Sequence, residues 1–158
     1  MVRLFIRTPT GRQRLNVLGA LDFVTRELVT VTNTTYITAQ TVCELLETLA
    51  KRYPGQAITL VLDNARYQRC RLVQDRATAL GLKLTFLPSY SPHLNLIERI
   101  WGLLKKRCLN GQYYETFDLF QRAIHEGIDK LATDYKPNVQ TLITRNFQHF
   151  NNRTILAA

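Results

Sequence analysis

Two carboxylates in this chain stand where they could share a metal ion. Asp63 directly follows residues 57–62 (AITLVL), a continuous apolar run of six that is rich in β-branched residues. Such a run reads as a strand buried on both faces. In open α/β sheets, ligands collect beyond the carboxyl ends of the parallel strands, so a carboxylate there is placed to hold a divalent cation. The plainer reading is that Asp63-Asn64 begins a turn or caps the next helix. Glu98 lies in the first turn of the helix after a second strand running the same way, and so emerges on the same edge. Two converging carboxylates suit Mg²⁺, which takes oxygen ligands and leaves room for phosphate oxygens. Here too a structural reading stands beside the chemical one. Asn95-x-x-Glu98 has the spacing of a capping box, with Asn95 as N-cap, and the two roles are not exclusive.

The elements that must position these residues follow from periodicity. Residues 1–7 read as a strand and TPTGRQ at 8–13 as a turn. Residues 14–21 and 27–32 read as an antiparallel pair around a polar corner at Asp22–Arg26. A helix is expected from Thr38, its N-cap, to about Arg52, where Pro54-Gly55 stops it. Strand 57–62, a helix over roughly 66–80 ended by Gly81, and strand 82–87 make a parallel crossover. Pro88 and Pro92 bracket a stiff loop. Helices follow at Asn95 to about Cys108, Thr116 to Leu131, and about 138–147, and the tail 151–158 reads as loose. The fold class is mixed α/β with a helical C-terminal part: a sheet-bearing portion over 1–110, a helical extension over 111–150, and the tail.

Composition narrows the function classes. The chain has 158 residues, 46% hydrophobic, which is long and apolar enough for a buried core and excludes disorder as the dominant state. Its unbroken apolar stretches fall far short of the roughly 18 residues of a membrane span. Cys43, Cys70 and Cys108 are far apart, with no C-x-x-C pair, so neither a disulfide framework nor a zinc site is expected and a reducing cytosol is the default. The formal charge of +9 points to a polyanionic partner, nucleic acid first. The cations group as Arg3, Arg7, Arg12 and Arg14; Arg66, Arg69 and Arg71; and Arg99, Lys105, Lys106 and Arg107. Two of these groups flank the proposed carboxylate edge, where a phosphate backbone would approach. Tyr67, Tyr90 and Trp101 could stack on bases, although Trp101 on an apolar helix face reads as core.

The segments TLVLDNARYQ (59–68) and LTFLPSYSPHLNLIERIWGLLKK (84–106) resemble the DDE transposases of bacterial insertion sequences related to the mariner superfamily. There a strand ends in Asp-Asn, and a second strand ends in Leu-Pro before a Tyr-Ser-Pro loop, Leu-Asn, and Ile-Glu leading a Trp helix. The 34 residues between Asp63 and Glu98 match the separation of the second and third catalytic carboxylates. The resemblance implies a ribonuclease-H-like mixed sheet flanked by helices. It also implies two Mg²⁺ or Mn²⁺ ions held by three carboxylates, cutting DNA at transposon ends and joining the freed 3′-OH to target DNA. Asp63 and Glu98 would be catalytic metal ligands. Asn64, Tyr90, Asn95 and Arg99 would shape the site, and Arg12, Arg14, Arg66, Arg69, Lys105 and Lys106 would contact DNA. A homodimer or higher assembly, bacterial and nucleoid-associated, is the expected setting.

The chain departs from that pattern in one respect that bears on mechanism. The family's first catalytic Asp belongs to the central strand upstream of the hairpin, yet no acidic residue precedes Asp22, which falls at the hairpin corner. The helix-turn-helix region is absent as well. The chain therefore reads as the C-terminal portion of a transposase, with the central strand missing or replaced by residues 2–7 and with two carboxylates instead of three. A second reading follows: a non-catalytic DNA-binding remnant.

Overall fold

The computed structural model describes residues 13–88, 95–143 and 154–157. A mostly apolar run buried on both faces makes β1 (Asn16–Asp22) and alternating apolar residues make β2 (Leu28–Asn33), and the two pair antiparallel from Asn16↔Asn33 to Leu21↔Leu28. The corner between them is closed by Asp22, whose Oδ1 accepts from the backbone N–H of Val24 (2.8 Å) and Thr25 (3.1 Å). Arg26 takes a left-handed conformation there (φ 65°), its N–H donating to the Asp22 carbonyl at 2.9 Å.

Helix α1 (Ala39–Arg52) starts after Thr38, as its sequence predicts. The buried run gives β3 (Thr59–Leu62), then α2 (Arg71–Ala79) and β4 (Lys83–Phe86), with β3 and β4 parallel. Helix α2 begins five residues later than its apolar spacing predicts. Residues 65–69 are spent in a turn, where Gln68 N–H donates to the Ala65 carbonyl at 3.0 Å, and Cys70 is extended (ψ 157°). Helices α3 (Ile97–Cys108), α4 (Phe117–Leu131) and α5 (Lys136–Leu142) follow. Pro137 sits in the first turn of α5, where its missing N–H costs nothing. Ile143 (ψ 68°) ends that helix earlier than the expected 147.

The tail departs most from expectation. Thr154–Ala157 form β5, and the strand order is β2-β1-β5-β3-β4. β5 pairs antiparallel with β1 (Leu21↔Leu156) and parallel with β3 (Val61↔Leu156). The central position is thus neither missing nor taken by residues 2–7, which lie outside the described residues. The segment expected to be loose holds it. The physical reason is that β1 and β3 would otherwise each present an unpaired row of N–H and C=O groups inside the sheet.

The sheet separates two apolar layers. Leu60 and Leu62 face Val42, Leu46, Leu49 and Val73 of α1 and α2. Val61 and Leu21 belong to the other layer, with Ile97, Ile100, Trp101 and Leu104 of α3 and Phe120 and Ile124 of α4. This alternation along β3 is the period-2 rule of a strand covered on both sides. Trp101 is core, 4% exposed, and lies against Gly19, where a Cβ would come within 2.8 Å of its ring. Helix α4 approaches α3 through Gly127, where a Cβ would collide with the Cys108 sulfur. Burial pushes the Cys108 thiol above its ordinary pKa, so it is suited to packing rather than to nucleophilic chemistry. No helix among the described residues is long and apolar enough to cross a membrane.

Candidate active site

Asp63 is the first residue past β3, at the carboxyl end of the parallel pair, and is half-buried. Its Oδ1 accepts a hydrogen bond from Asn95 Nδ2 at 3.0 Å. Asn95 is buried, 2% exposed, and lies just ahead of α3. Its own Oδ1 accepts from the Ile97 N–H at 3.4 Å, and its carbonyl accepts from the Glu98 N–H at 3.2 Å. The side chain therefore ties the strand end to the helix start. Residues three apart on a helical turn are neighbours, so Glu98 stands one turn from the residue that grips Asp63. Glu98 Oε2 is shielded from solvent. The helix starts at Ile97, two residues beyond the expected N-cap, and Leu96 takes the cap position. The capping reading of Asn95 is thereby shifted: its amide is turned toward Asp63 while its carbonyl oxygens serve the first turn.

Asn64 Oδ1 accepts from Arg69 Nη1 at 2.7 Å, and the Arg69 guanidinium lies 5.5 Å over the Phe86 ring. Arg99 Nη1 donates to the Leu142 carbonyl at 2.9 Å, so it reaches toward α5. Arg66 and Lys106 are exposed and Lys105 is half-buried. Arg14 precedes β1, whose start lies at the same edge of the sheet as the end of β3. It donates to the Tyr36 hydroxyl at 3.3 Å and lies 4.2 Å over that ring. Tyr67 packs against the α1–α2 layer. Tyr90 and Arg12 lie outside the described residues.

Asp22 is far from this edge. It is level with Ile155, which is level with Leu60. Asp63 lies three residues further along, at about 3.3 Å each, and two strand spacings of about 4.8 Å away, a separation of about 14 Å. Its Oδ1 serves the corner. Among the described residues, no three His, Cys, Asp or Glu side chains are grouped to hold a metal. Asp63 and Glu98 nevertheless offer only oxygen donors, the set a hard divalent cation takes when phosphates and water complete its shell. The chemistry of this donor set suits such an ion.

Sequence reasoning missed Gln68. It is fully buried in the turn after Asp63, and neither side-chain amide atom has a hydrogen-bond partner among the described residues. The signal available was a polar residue between Tyr67 and Cys70, both of which pack inward.

A five-stranded mixed sheet with an antiparallel hairpin on one side, a parallel crossover on the other and helices on both faces is a ribonuclease-H-like fold. The family described as DDE superfamily endonuclease matches residues 3–121, and the chain belongs to it. Solved structures share the fold. The catalytic domain of Mos1 transposase with raltegravir and Mg aligns over 93% of this chain and 83% of its own, with 17% identity and a TM-score of 0.63. The BIV integrase catalytic core aligns over 90% of this chain and 82% of its own, with 19% identity and a TM-score of 0.55. A chain of the simian T-cell lymphotropic virus intasome aligns over 97% of this chain at 16% identity and a TM-score of 0.61, and this chain spans half of its length. No curated protein matches significantly.

Proposed function

We propose that the chain is the catalytic-domain portion of a bacterial insertion-sequence transposase and acts in divalent-metal-dependent cleavage and strand transfer at transposon ends. The observation that carries this reading is the Asn95–Asp63 hydrogen bond at 3.0 Å, which joins the end of β3 to the start of the Glu98 helix. Asp63 and Glu98 would hold Mg²⁺ or Mn²⁺, and the ion when bound would activate the attacking oxygen and stabilise the leaving one. Asn95 fixes the orientation of the Asp63 carboxylate, as outer-shell donors do for metal ligands. Asn64, positioned by Arg69, and Arg99 frame the edge. Arg14, Arg66, Arg69, Lys105 and Lys106 would neutralise phosphates of the incoming DNA. Hydrolysis would break the bond from phosphorus to the 3′ oxygen, freeing a 3′-OH, which would then displace a 3′ oxygen in target DNA.

One observation favours the second reading, a DNA-binding protein without catalysis. The central strand, residues 154–157 (TILA), carries no acidic residue, and two metal ions need a third carboxylate. Incubation with end-containing DNA and Mg²⁺ separates the two. Strand cleavage by wild type that is lost in Asp63→Asn and Glu98→Gln supports the transposase. Salt-dependent binding without cleavage by wild type rejects it in favour of the binding protein.

A further inference from the structure

Glycine inside a strand weakens it and often marks a close approach by another part of the chain. Gly19 stands in the middle of β1, between Leu18 and Ala20, which are buried against the α1–α2 layer. On the opposite face, a Cβ at Gly19 would lie 2.8 Å and 2.9 Å from two outer ring carbons of Trp101 and 3.3 Å from Ile97 Cδ1. Carbon atoms in ordinary contact are about 3.5–4.0 Å apart. Helix α3 therefore rests on bare backbone here, closer than a side chain at this position would allow.

The sheet registers locate this seat. Ala20 pairs with Ala157, and Leu156 with Val61. Continuing both registers sets Gly19 level with Asp63, two strand spacings or about 10 Å away. Val61 faces the α3 layer, and period-2 alternation puts Asp63 on that same face. Ile97 and Trp101, the residues seated on Gly19, flank Glu98 in the first turns of α3. Asn95, just ahead of them, holds Asp63 at 3.0 Å. Residues 95–101 thus meet the sheet at Asp63 through a hydrogen bond and at Gly19 through close packing, on one level.

We propose that Gly19 is a positioning residue for the Asp63–Glu98 site: by offering no side chain, it sets the depth at which α3 rests on the sheet and so the reach of Glu98 toward Asp63. The inference rests on the reading of that pair as metal ligands. A methyl group at 19 must displace Trp101 by about 0.7 Å to regain ordinary contact. The residues beyond it in that layer, Ile100, Leu104, Phe120 and Ile124, are buried, and a close-packed core transmits such strain. Metal ligands tolerate displacements of only about 0.2 Å. Gly127 is the natural contrast. There a Cβ would collide with the Cys108 sulfur, at the far end of α3 and about 15 Å along the axis from Glu98.

The test compares the two glycines in the full chain. Urea unfolding reads packing, and calorimetric titration with Mn²⁺ alone reads the site. The Asn95 side-chain amide signals in metal-free buffer, identified by their loss in Asn95→Asp, read the junction by NMR. Gly19→Ala should shift those signals and weaken Mn²⁺ affinity about 10-fold or more. Gly127→Ala should lower the urea midpoint and leave signals and affinity at wild type. Trp101→Phe removes the ring carbons that Gly19→Ala crowds, so the double variant should bring signals and affinity back toward wild type. Wild-type signals and affinity in Gly19→Ala would overturn the proposal. An equal effect in Gly127→Ala would overturn it too, since overall stability alone would then be read, as would a folded double variant that recovers nothing. If Gly19→Ala does not fold, Trp101→Phe alone decides, because it loosens the same seat without crowding it. It should shift the Asn95 signals, and unchanged signals would sink the idea. A wild type that takes up no Mn²⁺, with the Asn95 signals behaving as expected, would refute the metal reading and leave the seat standing. Mn²⁺ binding by wild type that Gly19→Ala leaves intact would refute only the seat.

Discussion

Asp22 and Asp63 stand at the ends of two strands of one sheet, on opposite sides of the central strand, yet they are held in opposite ways. Asp22 is buried, and its Oδ1 accepts from backbone N–H groups two and three residues further on. Asp63 is half-buried and is held by a side chain 32 residues away. Local satisfaction makes a carboxylate a part of a turn. Long-range orientation at a strand end makes it a positioned group, because the bond does nothing for the local chain that a nearer donor could not do. The surroundings differ in the same sense. The corner uses its polar atoms, whereas the edge beside Asp63 buries the Gln68 amide with neither atom partnered among the described residues. Natural folds tolerate such local costs mainly at functional sites.

This contrast can be broken by mutation. The largest effect is expected for Asp63→Asn, which should abolish Mg²⁺-dependent strand cleavage while leaving the urea midpoint near wild type. Asp22→Asn should do neither. If the two exchange phenotypes, the contrast is wrong. Asn95→Ala should cost about 10- to 100-fold in cleavage rate or in apparent metal affinity, the usual range for an outer-shell donor. A titration of rate against Mg²⁺ reads both. Asp22→Ala leaves the Val24 and Thr25 N–H groups without their acceptor and should cost about 1–3 kcal/mol in equilibrium unfolding. Gln68→Met removes an unpartnered amide and should be neutral or stabilising by about 1–2 kcal/mol. A marked loss of stability would show that the amide is partnered in solution. Smallest is Glu27→Gln, which breaks the exposed Arg52–Glu27 pair (3.3 Å) beside the corner. It should cost under about 1 kcal/mol, and less in high salt.

Most of the positioning frame was legible in the sequence because the physics there is local. The run AITLVL can be buried only on both faces, and Thr38 and Pro54-Gly55 bracket α1 by capping and stopping. Asp63 and Glu98 were identifiable as sharing an edge, since two parallel strands must expose their carboxyl ends together. The Asn95–Asp63 bond was not legible. Asn95 fits a capping pattern equally well, and only the packed sheet shows which way its amide turns. Helix α2 was overextended in the reading because apolar spacing says nothing about an extended Cys70. Strand β5 was missed for a deeper reason. Four residues carry no periodicity, and their strand state is imposed by the vacancy between β1 and β3, a demand made by residues more than ninety positions away.

That placement has a consequence for how the protein is made. The hairpin β1–β2 and the crossover β3–β4 emerge from the ribosome well before residues 154–157, which alone join them into one sheet. Until residues 154–157 emerge, both halves present bare hydrogen-bonding rims to solvent and to one another. Assembly of the full sheet must therefore wait for that strand, is governed by contacts of long sequence separation, and is slow relative to either half. A nascent chain stalled short of Thr154 would be the aggregation-prone species, and a chaperone that shields open sheet margins would matter most in that interval.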